Sequence, residues 1–122
     1  MLIQDFYQII DLTQVESDHS ARIELNENHP IFDGHFPENP VMPGVCMFQI
    51  IQELTEKVVQ KKLSLQQVSN VKFMVLINPK IDNQLTFHFS IVPENATYKV
   101  KSQLVFQEQI ALKMNATYTN ID

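Results

Sequence analysis

The sequence of 122 residues is poor in several residue types, and each shortage excludes a class of protein. Cys46 is its single cysteine, which excludes an intramolecular disulfide framework and a multi-cysteine zinc site, and suits a reducing compartment. Nine basic residues against fourteen acidic ones give a formal charge of -5, which disfavours nucleic acid or an anionic membrane as the main partner. No apolar run approaches the roughly 18 residues of a membrane span, and no basic stretch precedes an apolar one at the N-terminus. We therefore expect a cytoplasmic protein without a membrane span.

Glycine is also scarce, and its two copies fall together with most of the prolines. Gly34, Gly44 and four of the six prolines lie between residues 30 and 44, so this segment has a special backbone. With 44% hydrophobic residues the chain can bury one core, and its length leaves no room for a second domain. We expect a single domain over residues 1–122.

The one strong helical signal begins at Gly44 and extends to about residue 62. Pro43 preorganises a helix start, and no further Gly or Pro follows until Pro79. Residues 45–51 are apolar on every side except at Gln49, which is typical of a helix surrounded by protein and makes Gln49 a buried polar group. The second half of the segment is rich in lysine and glutamate and is expected to reach solvent.

Alternating apolar residues predict strands on both sides of this helix. Two precede it, at Phe6–Val15 and Ala21–Leu25, with a polar connection between them. Those that follow are Val68–Ile77, Leu85–Ile91, Tyr98–Phe106 and Ile110–Tyr118. Turn signals between them make an antiparallel meander the simplest arrangement. The order predicts an α+β fold in which an antiparallel sheet wraps around one long central helix, about residues 44–62, and so small a core favours packing against a second copy.

His35 lies in the stiffened loop that leads into the N-terminus of this helix at Gly44. Free backbone N–H groups at such a terminus attract negative charge, and Gly44 has no side chain to block close approach. An imidazole base beside them can remove a proton alpha to a carbonyl while the N–H groups hold the resulting enolate oxygen. The alternative is a turn or surface histidine, which is the commoner role of a lone loop histidine.

Two strings in this segment resemble the active-site signature of a known family. They are Phe-Asp-Gly-His-Phe-Pro at residues 32–37 and Pro-Val-Met-Pro-Gly-Val at residues 40–45, and the family is the beta-hydroxyacyl-acyl-carrier-protein dehydratases of the FabA/FabZ type, which have the hot-dog fold. The resemblance continues more weakly through residues 68–73 and 78–85. It implies that His35 abstracts the alpha proton, that the N–H of Gly44 binds the thioester carbonyl, that no cofactor is needed, and that the active site is built across a dimer interface.

The position of the family's catalytic acid falls at Gln49, where this sequence has an amide. A primary amide cannot supply a proton near neutral pH. Four residues later, where the family usually has glutamine, this sequence has Glu53, and such positions share a helix face about 6 Å apart along the axis. We hypothesise that acid and amide have exchanged places, so that Glu53 donates the proton and Gln49 orients the hydroxyl. The alternative is a solvated Glu53 that pairs with Lys57.

The remaining candidates are assigned more ordinary roles. Residues expected to contact the substrate are Phe36, Pro43, Val45 and Phe48. Cys46 lies in an apolar run and is expected in the core. His29 is expected to shape a turn, and His88 to lie on an outer sheet face or at a subunit contact. The four histidines lack the spacing of metal ligands, so no metal site is expected.

These observations favour a 3-hydroxyacyl-thioester dehydratase that forms a 2-enoyl thioester in fatty acid or polyene-type biosynthesis. Two alternatives stay open: a hot-dog thioesterase in which Gln49 or Glu53 positions water, and a non-catalytic acyl-binding or partner subunit. The carrier is expected to be an acyl carrier protein or coenzyme A. Acyl carrier proteins are acidic, and the basic run that the family usually has is reduced here to Lys72, so coenzyme A stays open. The lysines at 57, 61, 62 and 80 could form a replacement patch. The expected assembly is a homodimer, a dimer of dimers or a heterodimer with a homologue.

Overall fold

The computed structural model describes residues 4–33 and 40–121. In these ranges the chain forms helix α1 at Gly44–Val59, a short 3-10 helix at Pro30–Phe32, and strands numbered in chain order. The strands are β1 at Tyr7–Val15, β2 at Asp18–Leu25, β3 at Leu63–Phe73, β4 at Gln84–Glu94, β5 at Thr97–Phe106 and β6 at Gln109–Asn120. Neither helix has the length and apolar character that crossing a membrane would require.

The strands form one antiparallel sheet in the order β1-β2-β4-β5-β6-β3. Side chains alternate between its two faces, as the period of two requires. The inner face is apolar: one row across β2, β4, β5 and β6 consists of Ala21, Phe87, Leu104 and Leu112, all fully buried. This row and the buried residues of α1 belong to a single hydrophobic core, which confirms the α+β arrangement of a sheet around one helix.

The predicted end of the helix was three residues too late. Gln60 adopts the left-handed conformation, with φ of 57°, and its N–H bonds to the carbonyl oxygen of Glu56 at 2.8 Å, so α1 ends at Val59. Left-handed caps of this kind are common helix ends, but glycine is their usual residue, and a glutamine gives no sequence signal.

The strand predictions also need correction in position. β3 begins at Leu63 rather than at residue 68 and ends at Phe73 rather than at residue 77. It is an edge strand with exposed residues on both faces, so the alternation that marks a half-buried strand is missing from its first half. β2 begins at Asp18, three residues before the predicted start, and β4 continues through the predicted turn at Pro93.

The expected meander holds only for β4, β5 and β6. β3 lies at the edge beside β6, and β4 lies beside β2, so the segment from residue 74 to residue 83 crosses from the β3 edge to β4, with β6 and β5 between them in the sheet. At the start of this segment, the N–H groups of Met74 and Val75 donate to the carbonyl oxygen of Ala111. At its end, the carbonyl oxygen of Asn83 accepts from the N–H of Leu25. A ten-residue irregular connection is long enough for this path, whereas a hairpin would have placed β3 next to β4.

Candidate active site

The first turn of α1 forms one side of the candidate site. Pro43 is the N-cap residue and contributes no side-chain capping bond, and no acidic side chain lies in the first turn. Backbone N–H groups at the start of the helix, at Gly44, can therefore donate hydrogen bonds to an electron-rich oxygen. Met42 secures the approach to the helix, because its N–H bonds to the carbonyl oxygen of Ile77 at 2.8 Å and its side chain is buried.

Two aromatic rings form an apolar wall beside this helix start. The ring of Phe73 stacks on Phe48 with centroids 6.0 Å apart. A Cβ atom at Gly44 would lie only 2.9 Å from Cζ of Phe73, closer than real Cβ contacts, so any larger residue at this position must displace the ring. Phe73 is 54% exposed, which leaves its outer surface available to an apolar ligand or a second chain.

A carboxylate and an amide are joined one to two turns further along α1. The Nε2 atom of Gln49 donates to Oε2 of Glu53 at 2.8 Å. Both side chains are half-buried, so Gln49 is less buried than the sequence predicts. Glu53 also differs from the solvated residue of the alternative interpretation, because its side chain is half-buried and bonded to Gln49.

Tyr7 completes this group from β1. Its hydroxyl donates to Oε1 of Glu53 at 2.7 Å, which joins two residues 46 positions apart in the chain. Burial raises the pKa of the Tyr7 hydroxyl, and the hydrogen bond to Glu53 and the negative charges of Glu53 and Glu56 add to the rise. The phenol is therefore a hydrogen-bond donor at neutral pH and does not compete as a second anion. We call Tyr7, Gln49 and Glu53 the acid cluster.

Sequence reasoning missed Tyr7, although it lies in a predicted strand. Its position depends on Phe6, whose buried ring packs against His29 at 5.4 Å and Phe32 at 5.7 Å between centroids. The turn at His29 is locked in its own right, since Nδ1 accepts from the N–H of Ile31 at 3.0 Å. A tyrosine at the start of a strand has no local signature for a partner on a distant helix, so nothing in the sequence singles it out.

The other predicted residues divide into three groups. His35 and Phe36 lie outside the described residues. Val45 is 72% exposed. Within one chain, the first half of α1 is therefore not surrounded by protein on every side, as the sequence predicts it to be. Cys46 is fully buried in the core, and burial raises the pKa of its thiol, which disfavours a reactive thiolate. In the part of the chain that the structure describes, no three His, Cys, Asp or Glu side chains group as metal ligands.

Comparison with known sequences identifies the family to which this chain is similar. Residues 12–113 match the model of the ApeI-like family, described as ApeI dehydratase. The 3-hydroxyacyl-acyl-carrier-protein dehydratase FabZ of Shewanella denitrificans is 30% identical over 97 residues, which cover 71% of this chain and 61% of that protein. The FabZ of Coxiella burnetii is 27% identical over 121 residues, covering 88% and 84%. The chain spans about half to three fifths of the length of the first curated relatives that it matches: 61% for the FabZ of Shewanella denitrificans and 51% for the FabZ of Xylella fastidiosa.

Solved structures with the same fold come from both dehydratases and thioesterases. The dehydratase heterocomplex ApeI:P from Xenorhabdus doucetiae has a TM-score of 0.75 at 19% identity, over 93% of this chain and 97% of that chain. A hypothetical thioesterase with coenzyme A from Streptococcus pneumoniae has a TM-score of 0.69 at 14% identity, over 97% and 89%. At these identities the likeness establishes the hot-dog fold alone.

Proposed function

The chain belongs to the ApeI-like dehydratase family, and on that premise we propose that it removes water from a 3-hydroxyacyl thioester to give the 2-enoyl thioester. The observation that carries the proposal is the bonded pair on α1. The family's acid position holds Gln49, and the carboxyl group of Glu53 lies 2.8 Å from that amide. A carboxyl group is therefore present beside the position where, by the resemblance, the family has its acid.

The proposed reaction needs one base, one acid and one site for negative charge. His35, assigned from the resemblance, takes a proton from carbon 2 of the substrate. The electron pair of that C–H bond forms the double bond to carbon 3, and the hydroxyl group on carbon 3 leaves with a proton as water. We assign this proton to Glu53, and we assign the stabilisation of the thioester oxygen to the N–H of Gly44.

Gln49 suits the task of holding both the acid and the substrate hydroxyl. In the structure its amide donates through Nε2 to Oε2 of Glu53, and an amide can also accept through Oε1 from a carboxyl O–H. It can therefore pair with Glu53 before and after proton transfer. We propose that its remaining polar atoms orient the leaving hydroxyl.

Tyr7 is proposed as a positioning residue for this acid. It donates to Oε1 of Glu53, while Gln49 bonds to Oε2, so the carboxyl group is held from two sides. Fixing a catalytic group in one orientation is a recognised source of rate enhancement. The substrate-lining role predicted for Phe48 is extended to Phe73, because the two rings form one wall beside Gly44.

We propose that the substrate is carried by an acyl carrier protein or coenzyme A, in fatty acid or polyene-type biosynthesis, and that the chain works as a dimer or with a homologue. The names of the curated relatives support the carrier protein, and the ApeI:P heterocomplex supports the assembly. Apolar residues left exposed near the site support a partner as well. These are Val45, Phe73, Met74 and Leu76.

The test is to mix the purified protein with a short 3-hydroxyacyl-pantetheine thioester in deuterated water and to follow the products by mass spectrometry, with His35→Ala as the control. Loss of water that depends on His35 supports the proposal. Deuterium exchange at carbon 2 without elimination contradicts the assigned acid, because base and oxyanion site would then act alone. Release of the free acid identifies a thioesterase, and unchanged substrate favours a binding or partner role.

A further inference from the structure

His29 joins the N-terminal turn of the chain to the turn that leads toward His35. Its Nδ1 atom accepts from the N–H of Ile31 at 3.0 Å, and its Nε2 atom lies 2.9 Å from the carbonyl oxygen of Gln4. A carbonyl oxygen can only accept, so Nε2 is the donor and Nδ1 the acceptor. One imidazole ring therefore connects parts of the chain that are 25 positions apart, with a different nitrogen for each.

One path of contacts runs from His29 to the acid cluster. The imidazole packs edge to face on Phe6, with ring centroids 5.4 Å apart, and Phe6 packs edge to face on Tyr7 at 6.4 Å. Tyr7 then donates to Oε1 of Glu53 at 2.7 Å. Edge-to-face contacts are a preferred geometry of aromatic pairs, so each ring restrains the orientation of the next. A displaced imidazole would therefore change the packing that orients the Tyr7 hydroxyl.

The N-terminal turn that carries Phe6 is held by bonds at three successive residues. The N–H of Asn26 donates to the carbonyl oxygen of Phe6 at 2.8 Å, and its side-chain amide donates to that of Asp5 at 2.9 Å. The bond from His29 to Gln4 is the third attachment, one residue nearer the N-terminus. All three residues precede β1 and lie outside the sheet. Their placement therefore depends on these bonds rather than on strand pairing.

The other bond of His29 shapes the start of the segment that leads to the assigned base. His29 is the N-cap residue of the 3-10 helix at Pro30–Phe32, and Nδ1 accepts within its first turn. Phe32 is buried and packs on Phe6 with centroids 5.7 Å apart. His35 follows Phe32 by three residues in the sequence. Loss of the cap would thus loosen the chain close to the residue that we assign as the base.

We propose that His29 is a positioning residue that holds the acid cluster and the start of the base-bearing segment in one arrangement. The inference rests on the proposed function, in which Glu53 is the acid and His35 the base. Nε2 of His29 supports the acid through the N-terminal turn, and Nδ1 supports the base through the 3-10 helix. Such support matters to the rate, because displacing a reacting group by about 1 Å can cost about 10²-fold.

Two substitutions separate the roles of the two nitrogens. His29→Asn keeps an acceptor at the place of Nδ1, and asparagine is a favoured N-cap residue, but its side chain is too short to reach the carbonyl oxygen of Gln4. His29→Gln keeps a donor near the place of Nε2 and loses the cap. Both are assayed with a 3-hydroxyacyl-pantetheine thioester in deuterated water. Deuterium exchange at carbon 2 measures the action of the base, and loss of water measures base and acid together.

We expect His29→Asn to lower the rate of water loss about tenfold relative to deuterium exchange, because the base keeps its turn while the acid loses support. We expect His29→Gln to lower both rates by the same factor, within about twofold, because the base acts in both. In a Tyr7→Phe background the bond to Glu53 is already absent, so His29→Asn should lower water loss by less than about twofold further.

Four results would overturn the positioning proposal. They are unchanged rates in both variants, an equal loss of exchange and of water loss in His29→Asn, a His29→Asn effect that persists in full in the Tyr7→Phe background, and failure of either variant to fold in urea denaturation. The last result would show that the half-buried ring serves the stability of the chain rather than the arrangement of the site.

Failure of the proposed function is recognised separately, because the wild-type chain would then release no water from the pantetheine substrate. In that case the Tyr7 hydroxyl is observed directly, by nuclear magnetic resonance of protein labelled with carbon-13 at the Cζ atoms of its three tyrosines. The Tyr7 signal is the one that Tyr7→Phe removes. The proposal requires that His29→Asn shift this signal and that His29→Gln leave it in place.

Discussion

Gln49 has an NH2 group where Glu53 has one of its carboxyl oxygens, so the two residues can be exchanged without changing the composition of the site. We expect Glu53→Gln to lower the dehydration rate by about 10²–10⁴-fold, the usual contribution of a general acid. The double variant Gln49→Glu, Glu53→Gln returns the acid to the position of the related family and should recover at least tenfold of that loss. Rates with a 3-hydroxyacyl-pantetheine substrate measure both effects.

The single variant Gln49→Glu is the control for this exchange, because it adds an acid without removing Glu53. If Glu53→Gln leaves the rate unchanged, Glu53 is not the proton donor. If the double variant is no faster than Glu53→Gln alone, the arrangement of Tyr7 around position 53 fixes the acid there.

The acid cluster also marks how far the sequence could predict the site at the level of single residues. The pairing of Gln49 with Glu53 follows from helical spacing, and the structure has that bond. The contribution of Tyr7 does not follow, because it depends on the docking of β1 against α1 rather than on any local pattern. The roles of His35 and Phe36 remain predictions from the motif.

At the level of elements, α1 carries a conformational cost at its end. Gln60 has a φ of 57°, and a residue with a Cβ atom costs about 1–2 kcal/mol in this conformation, whereas glycine adopts it freely. We expect Gln60→Gly to raise the free energy of unfolding by about 0.5–1 kcal/mol, the gain being reduced by the greater entropy of glycine in the unfolded chain.

Urea denaturation measures this change as a higher midpoint with an unchanged slope. Gln60→Ala serves as the matched control, since alanine also lacks the long side chain but keeps the Cβ atom. Equal stabilisation by both substitutions would contradict the assignment to backbone conformation and point to the glutamine side chain instead.

The boundaries of a strand were predicted well where one of its faces is buried and the other is exposed. β4, β5 and β6 alternate between buried and exposed positions and appear close to their predicted places. β3 lies at the sheet edge, where both faces meet solvent, and its predicted boundaries were shifted by four to five residues. Pairing between β2 and β4 is a property of the whole sheet, so local turn signals could not reveal it.

For the whole molecule, β3 is the part of the sheet most suited to a second chain. It is eleven residues long, occupies the edge, and carries exposed apolar side chains at Leu65 and Phe73. An edge strand with exposed apolar side chains invites pairing with another strand. We expect the wild-type protein to sediment at twice its chain mass of 14.2 kDa, and Leu65→Lys to shift it toward the monomer, because an edge lysine opposes strand pairing.

Val92→Lys is the control, since Val92 is also exposed but lies on β4, an interior strand. A wild-type monomer at micromolar concentration would contradict the homodimer and direct the search to a homologous partner. Equal dissociation of both lysine variants would show that the added charge, rather than its place at the edge, drives the change.

The bond from Tyr7 to Glu53 links the proposed acid to an exposed edge strand of the sheet. β1 is the opposite edge strand, and all nine of its residues are exposed or half-buried. Edge strands of this kind open with smaller free energies than the core does. Under the proposed function, a transient departure of β1 takes Tyr7 away from the proposed acid while α1 and the remaining strands stay folded, so loss of dehydratase activity on warming should precede the global melting of the protein.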